Sequence, residues 1–283
     1  MEELDKIEFR IKRKEHYRFS FCPKWLQWLF SIITMAVYAF VFYHFVVSPF
    51  SLRWKGIFGG RFPEGYSIRG IDVSHHQGEI DWETLKNATL DREPVSFVII
   101  KATEGTDFTD ENYNYNVTEA RKNGFICGAY HFFLPSESPA KQADYFLQHV
   151  VLEEGDFPPV LDIEHKGDLS DEQIRTAALT WLRIVEDHYN VKPIIYTNYK
   201  FKIKYLNDSV MNAYPYWIAH YYVDSLKYKG EWKLWQYTDN GKLEGIPNTV
   251  DFNLYNGSMY DLHKFLIGHR EENDFSKEME KYS

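Results

Sequence analysis

The chain has 283 residues, of which 44% are hydrophobic, so it is long and apolar enough to bury one full-sized core. Its formal net charge of −9 at pH 7 argues against nucleic acid as a partner, because phosphate binding needs clustered cations. Cys22 and Cys127 are the only cysteines, one before and one far beyond an apolar N-terminal segment, so neither a disulfide nor a cysteine-based metal site is expected.

The N-terminal part of the chain divides into a charged leader, residues 1–24, and an apolar run, residues 25–47. The run contains no Asp, Glu, Lys or Arg, and about 20 apolar residues suffice to cross a bilayer as a helix. A cleavable signal peptide is the alternative. However, the leader is too long, the run exceeds a typical signal segment, and no A-x-A cleavage site follows. The sequence therefore predicts an uncleaved membrane anchor.

Basic residues are more numerous before the apolar run than just after it. The following side carries Arg53, Lys55 and Arg61, and the leader carries Lys6, Arg10, Lys12, Arg13, Lys14, Arg18 and Lys24. The positive-inside rule therefore places the N-terminus in the cytoplasm. Everything after the anchor is then exported to the periplasm or the cell exterior.

Residues 48–66 are rich in Gly and Pro and are predicted to form a linker. In residues 67–266, β-branched apolar runs alternate with longer segments of helical period, which predicts a mostly parallel sheet with crossover helices. The candidate strands are residues 68–73, 96–102, 125–132, 159–163, 193–197, 216–219 and 233–237, with a short piece ending near residue 251; the candidate helices are residues 111–123, 138–151 and 170–189. This pattern indicates a β/α barrel followed by a charged tail, residues 267–283.

Two acids stand close together in the segment 158–167, PPVLDIEHKG. Asp162 and Glu164 lie two positions apart at the end of a short predicted strand. Because strand side chains alternate between faces, both acids are expected on one side, where like charge and partial burial raise at least one pKa. A carboxylic acid beside a carboxylate is suited to cleaving a glycosidic bond. For an isolated D-x-E, pairing with lysines or capping of the next turn is the alternative.

Polar and aromatic residues recur at the predicted ends of nearly every strand. In a parallel β/α barrel the reactive groups collect at the C-terminal ends of the strands, so we expect these residues to surround one cleft. In chain order the strand ends carry Asp72, Lys101 with Glu104, Tyr130 with His131, Asp162 with Glu164, Tyr196 with Asn198, Trp217, Trp235 with Gln236, and Asp251.

A series of motifs links these strand ends to a known family. GIDVSHHQGEIDW (residues 70–82), IKATEG, GAYHF, PVLDIE, IIYT, YWIAHY, WQYT and VDFN follow one another in an order that closely resembles the family 25 glycoside hydrolases. These are the Chalaropsis-type lysozymes, or N-acetylmuramidases. The resemblance covers residues 68 to about 265. It implies a flattened barrel of five β/α units plus a less regular three-strand part, acting on the β-1,4 bond between N-acetylmuramic acid and N-acetylglucosamine.

The resemblance also implies roles for individual residues. Glu164 matches the proton donor, and Asp162 matches the acid that either activates water or orients the substrate's acetamido group. Asp72 and Asp251 match the two aspartates that flank the same cleft. The candidates for substrate binding are Tyr130, Tyr196, Trp217, Trp235 and Gln236; for each aromatic ring, packing inside the barrel is the alternative use.

Other features of the sequence indicate alternative chemistries and functions. His75 and His76 with Asp72 suggest a hydrolytic zinc site, but adjacent loop histidines rarely both ligate and no H-x3-H partner appears, so neither a metal nor a cofactor is expected. The sequence predicts a membrane-anchored muramidase whose partners are peptidoglycan strands and the membrane. A non-catalytic peptidoglycan-binding protein and a chitinase-like glycosidase are the alternatives. The retaining, inverting or substrate-assisted course of the reaction stays open.

Overall fold

A computed structural model of the chain describes residues 23–44 and 63–269, which belong to two compact units. The first unit contains helix α1 (Lys24–Phe42), whose mean hydropathy is 1.7 and whose side chains are unburied. Its 19 residues extend about 28 Å, close to the ~30 Å thickness of a bilayer core, so α1 is a candidate membrane span. Most of the predicted leader, linker and tail, and residues 45–47 of the predicted anchor, lie outside the described residues, and the boundaries of these segments stay predictions.

The second unit contains the strands and the remaining helices. The strands are β1 (Arg69–Val73), β2 (Thr89–Leu90), β3 (Glu93–Glu104), β4 (Phe108–Thr109), β5 (Ile126–Phe132), β6 (Val160–Asp162), β7 (Ile194–Asn198), β8 (Tyr216–Ala219), β9 (Leu234–Gly241) and β10 (Val250–Tyr255). The helices are α2 (Trp82–Leu85), α3 (Tyr113–Lys122), α4 (Pro139–His149), α5 (Asp171–Tyr189), α6 (Tyr199–Tyr205) and α7 (Met259–Phe265).

Eight of the strands described in this unit close into a barrel. Neighbours from β1 through β3, β5, β6, β7 and β8 to β9 pair in parallel, whereas β10 pairs antiparallel with both β9 and β1. The short strands β2 and β4 only extend β3. The expected closed α/β barrel is confirmed. The finer division into five β/α units stays a prediction, since the connecting helices α2 and α6 have only four and seven residues.

The direction of the last strand differs from the prediction. The short piece was expected to end near Asp251, but β10 begins at Val250 and runs antiparallel to its neighbours. Its first residues therefore lie at the rim where the parallel strands end. Asp251 reaches the predicted rim from the start of its strand rather than from the end.

Side-chain alternation along the strands divides the core into two layers. Inward-facing residues such as Phe97 and Ile194 fill the barrel, while outward-facing residues such as Ile100 and Ile195 pack under the helices. Gly70 is required on β1, because a Cβ atom there would lie 2.3 Å from the Phe97 ring. Above this apolar filling, most of the next inward-facing residues are polar or aromatic, and they line the cleft.

Candidate active site

The four predicted acids converge on one cleft at the C-terminal rim of the parallel strands. The cleft has a volume of about 260 Å³ and is lined by Asp72, Ser74, His76, Lys101, Tyr130, Phe132, Asp162, Glu164, Tyr196, Trp217, Tyr221, Gln236 and Asp251. A larger cavity of about 360 Å³ lies near the N-terminal ends of β6 to β9. Its lining contains a single acid, Glu231, so the paired-carboxyl chemistry belongs to the smaller cleft.

Asp72 and Asp251 form a closely coupled pair. They are direct partners in the register of β1 and β10, and their carboxyls share a hydrogen bond. Burial raises the pKa of both groups; hydrogen bonds from Asn253 and Gln236 oppose this rise at Asp72, while the neighbouring charge of Asp72 adds to it at Asp251. The pair therefore holds a proton at pH values where free aspartic acids have lost theirs.

Asp162 and Glu164 occupy the adjacent side of the cleft. Asp162 is 6% exposed, and its Oδ1 accepts no hydrogen bond from any residue between 63 and 269. Burial raises its pKa well above the usual range, and the charge of Glu164 adds to this effect. Burial also raises the pKa of the half-buried Glu164, against the opposing effects of His165 and a hydrogen bond from Asn198. Two neighbouring carboxyls thus differ in burial and in hydrogen bonding, as acid and base roles require.

The segment that carries most of these site residues matches a known protein family. Residues 71–246 match the model described as "Glycosyl hydrolases family 25". The chain belongs to this family. Asp72, Asp162, Glu164 and Gln236 lie inside the matched segment, and Asp251 follows it closely. Membership makes the chain a glycoside hydrolase, and it confirms the resemblance seen in the motifs.

Relatives of family 25 extend the match over most of the barrel. "Uncharacterized protein YegX" of Escherichia coli (strain K12) is 41% identical over 215 residues, which cover 76% of this chain and 79% of that protein. "Lysozyme M1" of Streptomyces globisporus is 35% identical over 210 residues, which cover 68% of each protein. The crystal structure of the bacterial lysozyme from Streptomyces coelicolor matches with a TM-score of 0.64 and 33% identity, over 72% of this chain and 98% of that one.

Three of the predicted aromatic residues lie in the cleft of this family 25 barrel. Tyr130 is half-buried, whereas Tyr196 and Trp217 are 6% and 2% exposed. The rings of Tyr196 and Trp217 pack edge to face with centroids 4.5 Å apart. Their polar atoms are engaged within the protein, since Tyr196 donates to Gln236 at 2.7 Å and Trp217 donates to Asn253 at 2.8 Å. Tyr130 therefore offers the larger free surface to a ligand.

Trp235 does not reach the cleft, contrary to its predicted role in substrate binding. It faces the outer layer, is fully buried, and donates its indole N–H to the carbonyl of His220 at 2.9 Å. The physical reason is strand alternation: Gln236, the next residue on β9, faces inward and lines the cleft. Both residues of the W-Q pair were predicted to bind substrate, but their side chains lie on opposite faces of β9.

Three residues that contact the acids or the amide of the cleft were not predicted as site residues from the sequence. Tyr221 follows β8 and donates to Gln236 at 2.6 Å, and Asn253 donates to Asp72 at 2.7 Å. Asn198 hydrogen-bonds Glu164 from the end of β7. Asn198 lies at a predicted strand end and Asn253 lies in the VDFN motif. The alternation of side chains along each strand would have placed both on the inward face at the rim. The position of Tyr221 depends on the conformation of the loop after β8, which the alternation of strand side chains does not predict.

The remaining polar residues of the rim form local pairs. Lys101 pairs with Glu104 at 2.6 Å, and its positive charge opposes the rise in the pKa of Asp162. His75 lies 2.8 Å from the carboxylate of Asp110, while His76 lines the cleft. His75 is thereby occupied by a carboxylate rather than directed toward Asp72.

Proposed function

We propose that this chain is a membrane-anchored muramidase that hydrolyses the β-1,4 bond between N-acetylmuramic acid and N-acetylglucosamine in peptidoglycan. The observation that supports it most strongly is the convergence of Glu164, Asp162, Asp72 and Asp251 on one cleft. Each of the four has a raised pKa, and burial is the first cause in every case. The lysozyme names of the relatives agree with this substrate.

Glu164 is the proton donor in the proposed reaction. It is less buried than Asp162 and extends from the end of the strand, and its raised pKa keeps a proton available above the usual range of a glutamic acid. The bond between the anomeric carbon and the bridging oxygen breaks as the Glu164 proton moves to that oxygen. Water then adds its hydroxyl to the anomeric carbon, and its remaining proton restores Glu164.

Asp162 and Asp72 act on the sugar from the cleft floor. Positive charge develops on the sugar ring in an oxocarbenium-like transition state, and the carboxylate of Asp72 stabilises this charge more than the neutral ground state. Oδ1 of Asp162, which accepts no hydrogen bond from the described residues, is suited to accept one from the substrate's acetamido N–H. Such a bond would orient the acetamido oxygen toward the anomeric carbon, where it can serve as an internal nucleophile.

The decisive experiment compares digestion of purified peptidoglycan by the parent protein and by Glu164→Gln. The parent should release fragments whose new reducing ends are muramic acid, identified by mass spectrometry, and Glu164→Gln should lose roughly 10²- to 10⁴-fold in kcat. Glu172→Gln, on the exposed first turn of α5, is the matched control and should retain activity.

The alternatives predict different products. Binding of peptidoglycan without new reducing ends would favour the non-catalytic protein. Cleavage of chitin oligomers at rates equal to or above those on muropeptides would favour the chitinase-like enzyme. Equal activity of Glu164→Gln and the parent would refute the role of Glu164.

Helix α1 is the proposed anchor, with the N-terminus in the cytoplasm and the barrel exported. Peptidoglycan is rich in carboxylates and a chain of net charge −9 gains no electrostatic capture from it, so tethering would supply the local concentration instead. This favours remodelling of a nearby wall over a diffusible role. The full chain should stay in the membrane fraction after alkaline carbonate washing, and protease added outside the membrane should digest the barrel. Recovery in the soluble fraction would contradict anchoring.

A further inference from the structure

Trp217 fixes the orientation of a buried amide beside the catalytic pair. Its indole Nε1 lies 2.8 Å from Oδ1 of Asn253, and both side chains are almost fully buried. An indole N–H can only donate, so the amide atom that it contacts must be the oxygen. The amide nitrogen of Asn253 is thereby directed to Asp72 Oδ2, at 2.7 Å.

Two tyrosine hydroxyls hydrogen-bond the second amide, and the carboxyls on its other side decide its orientation, because a hydroxyl can donate or accept. Tyr196 and Tyr221 place their hydroxyls 2.7 and 2.6 Å from Oε1 of Gln236. The reversed amide would direct its oxygen at two carboxyl groups, which repel it unless both carry protons. The observed orientation instead donates from Nε2 to Asp72 Oδ2 at 2.8 Å and to Asp251 Oδ2 at 3.2 Å.

Asp72 Oδ2 therefore accepts an N–H group from Asn253, whose amide is oriented by Trp217, and one from Gln236, whose amide oxygen is held by Tyr196 and Tyr221. We propose that Gln236 and Asn253 are positioning residues that hold Asp72 as the carboxylate and leave the proton of the Asp72 and Asp251 pair on Asp251. The inference deepens the proposed function and rests on it for the role of the charge. The pKa directions agree, because hydrogen bonds from Asn253 and Gln236 lower the pKa of Asp72 while the bond with Asp72 raises that of Asp251.

The consequence is a defined charge pattern in front of the sugar. Asp72 is the fixed anion that stabilises positive charge on the ring, and Asp251 is the neutral partner that donates to it. Trp217 and Tyr196 act on Asp72 indirectly, through the amides of Asn253 and Gln236. Substitutions of these two aromatic residues should therefore change the protonation of Asp72, although their own polar atoms hydrogen-bond the amides.

Other groups also face Asp72 and must be held constant in any test of its titration. From the surrounding strands and loops these are His76, Lys101, Tyr130, Asp162, Glu164, Tyr196, Tyr221 and Asp251. Asp251 is the strongest of these couplings, since it shares a hydrogen bond with Asp72. An Asp251→Asn background removes this coupling, so Asp72 no longer shares a proton with a hydrogen-bonded carboxyl, while the other facing groups stay the same in every variant.

The experiment is an infrared titration of protonated carboxyl groups in the full chain, purified in detergent. The Asp72 signal is the band present in Asp251→Asn and missing from Asp72→Asn/Asp251→Asn. Adding Asn253→Leu should raise its midpoint by roughly one to two pH units, because a hydrogen bond to a charged group is lost. Trp217→Phe, which keeps Asn253 but frees its amide, should raise it by less. Asn256→Leu is the matched control, since Asn256 is exposed just beyond the other end of β10, and should leave the midpoint unchanged.

Unchanged midpoints in both Asn253→Leu and Trp217→Phe would overturn the inference, and Trp217→Phe alone decides it if Asn253→Leu fails to fold. In the chain with Asp251 intact, Trp217→Phe should also move the acidic limb of kcat/KM to higher pH and lower kcat more than it changes KM. The titration needs no substrate. A shifted midpoint in a chain that fails to cleave peptidoglycan would therefore refute the proposed function while upholding the role of the amides.

Discussion

Asp72 and Asp251 lie directly opposite each other where β1 meets the antiparallel strand β10, and Nε2 of Gln236 donates to both carboxyls. The antiparallel return of β10 creates this pair, since it brings the beginning of one strand to the end of another. Two acids at such a position would repel each other if both were ionised, so the closed barrel requires them to share a proton.

The shared proton predicts how stability depends on pH. The folded pKa of Asp251 is raised, whereas its unfolded pKa is near 3.8, so between the two values the folded state binds more protons. The free energy of unfolding should therefore fall as pH rises above 3.8 into the neutral range. Asp251→Asn should make this decline shallower, as measured by chemical denaturation at several pH values. A decline of equal slope in both proteins would contradict the raised pKa.

The roles of Glu164 and Asp162 predict that substitutions of the two residues respond differently to the leaving group of the substrate. An aryl glycoside with a strongly acidic phenol departs without protonation, so Glu164→Gln should retain most of the parent's rate of glycosidic cleavage on that substrate. Asp162→Asn should lose roughly 10²-fold or more on both the aryl substrate and peptidoglycan, because its contact with the acetamido group is needed in either case. Equal losses by the two variants on the aryl glycoside would contradict Glu164 as the acid.

Much of the barrel could be predicted because its signals are local. Runs of β-branched residues identified the strands, and segments of helical period identified helices such as the one predicted over residues 170–189, where α5 begins with a capping box formed by Ser170 and Gln173. The direction of β10 could not be predicted, because pairing direction depends on contacts between residues far apart in the chain. The position of Asp251 at the rim was still obtained, since the motif and the fold place the same residue there.

The site was predicted less completely than the fold. All four acids were located from strand ends and motif order, and the structure brings them to one cleft. The hydrogen bonds that distinguish these acids could not be predicted from the sequence. Asn253 contacts Asp72, and Tyr221 contacts Gln236, only after the barrel closes. Trp235 was misassigned to the cleft because the aromatic composition of a strand end does not reveal on which face a ring lies.

Substitution of Trp235 should therefore affect stability rather than substrate binding. Trp235→Ala removes a fully buried ring packed near Tyr66 and Tyr237, and should lower the free energy of unfolding by about 3–5 kcal/mol. Trp235→Phe should lower it by less and leave KM for peptidoglycan fragments unchanged. Denaturation curves and kinetics on the same preparations check both expectations. A raised KM in Trp235→Phe with unchanged stability would place the ring against the substrate.

Asn198 offers a way to move the pKa of the proposed proton donor. Its side chain hydrogen-bonds Glu164 and lowers the pKa of that acid, and its Oδ1 also caps α6 by accepting from the backbone N–H of Phe201 at 2.9 Å. Asn198→Ser keeps a good capping residue but shortens the side chain, so the hydrogen bond to Glu164 should be lost. The pKa of Glu164 should then rise by roughly half to one unit.

The active form of the donor is protonated, so activity is lost as pH rises through the pKa of Glu164. In Asn198→Ser the alkaline limb of the pH profile of kcat should therefore move to higher pH, with little change in melting temperature. Asn198→Ala is the control for the cap: it should move the limb in the same direction but also lower stability by about 1 kcal/mol. An alkaline limb that stays in place or moves to lower pH in both variants would show that Glu164 is not the group that protonates the leaving oxygen.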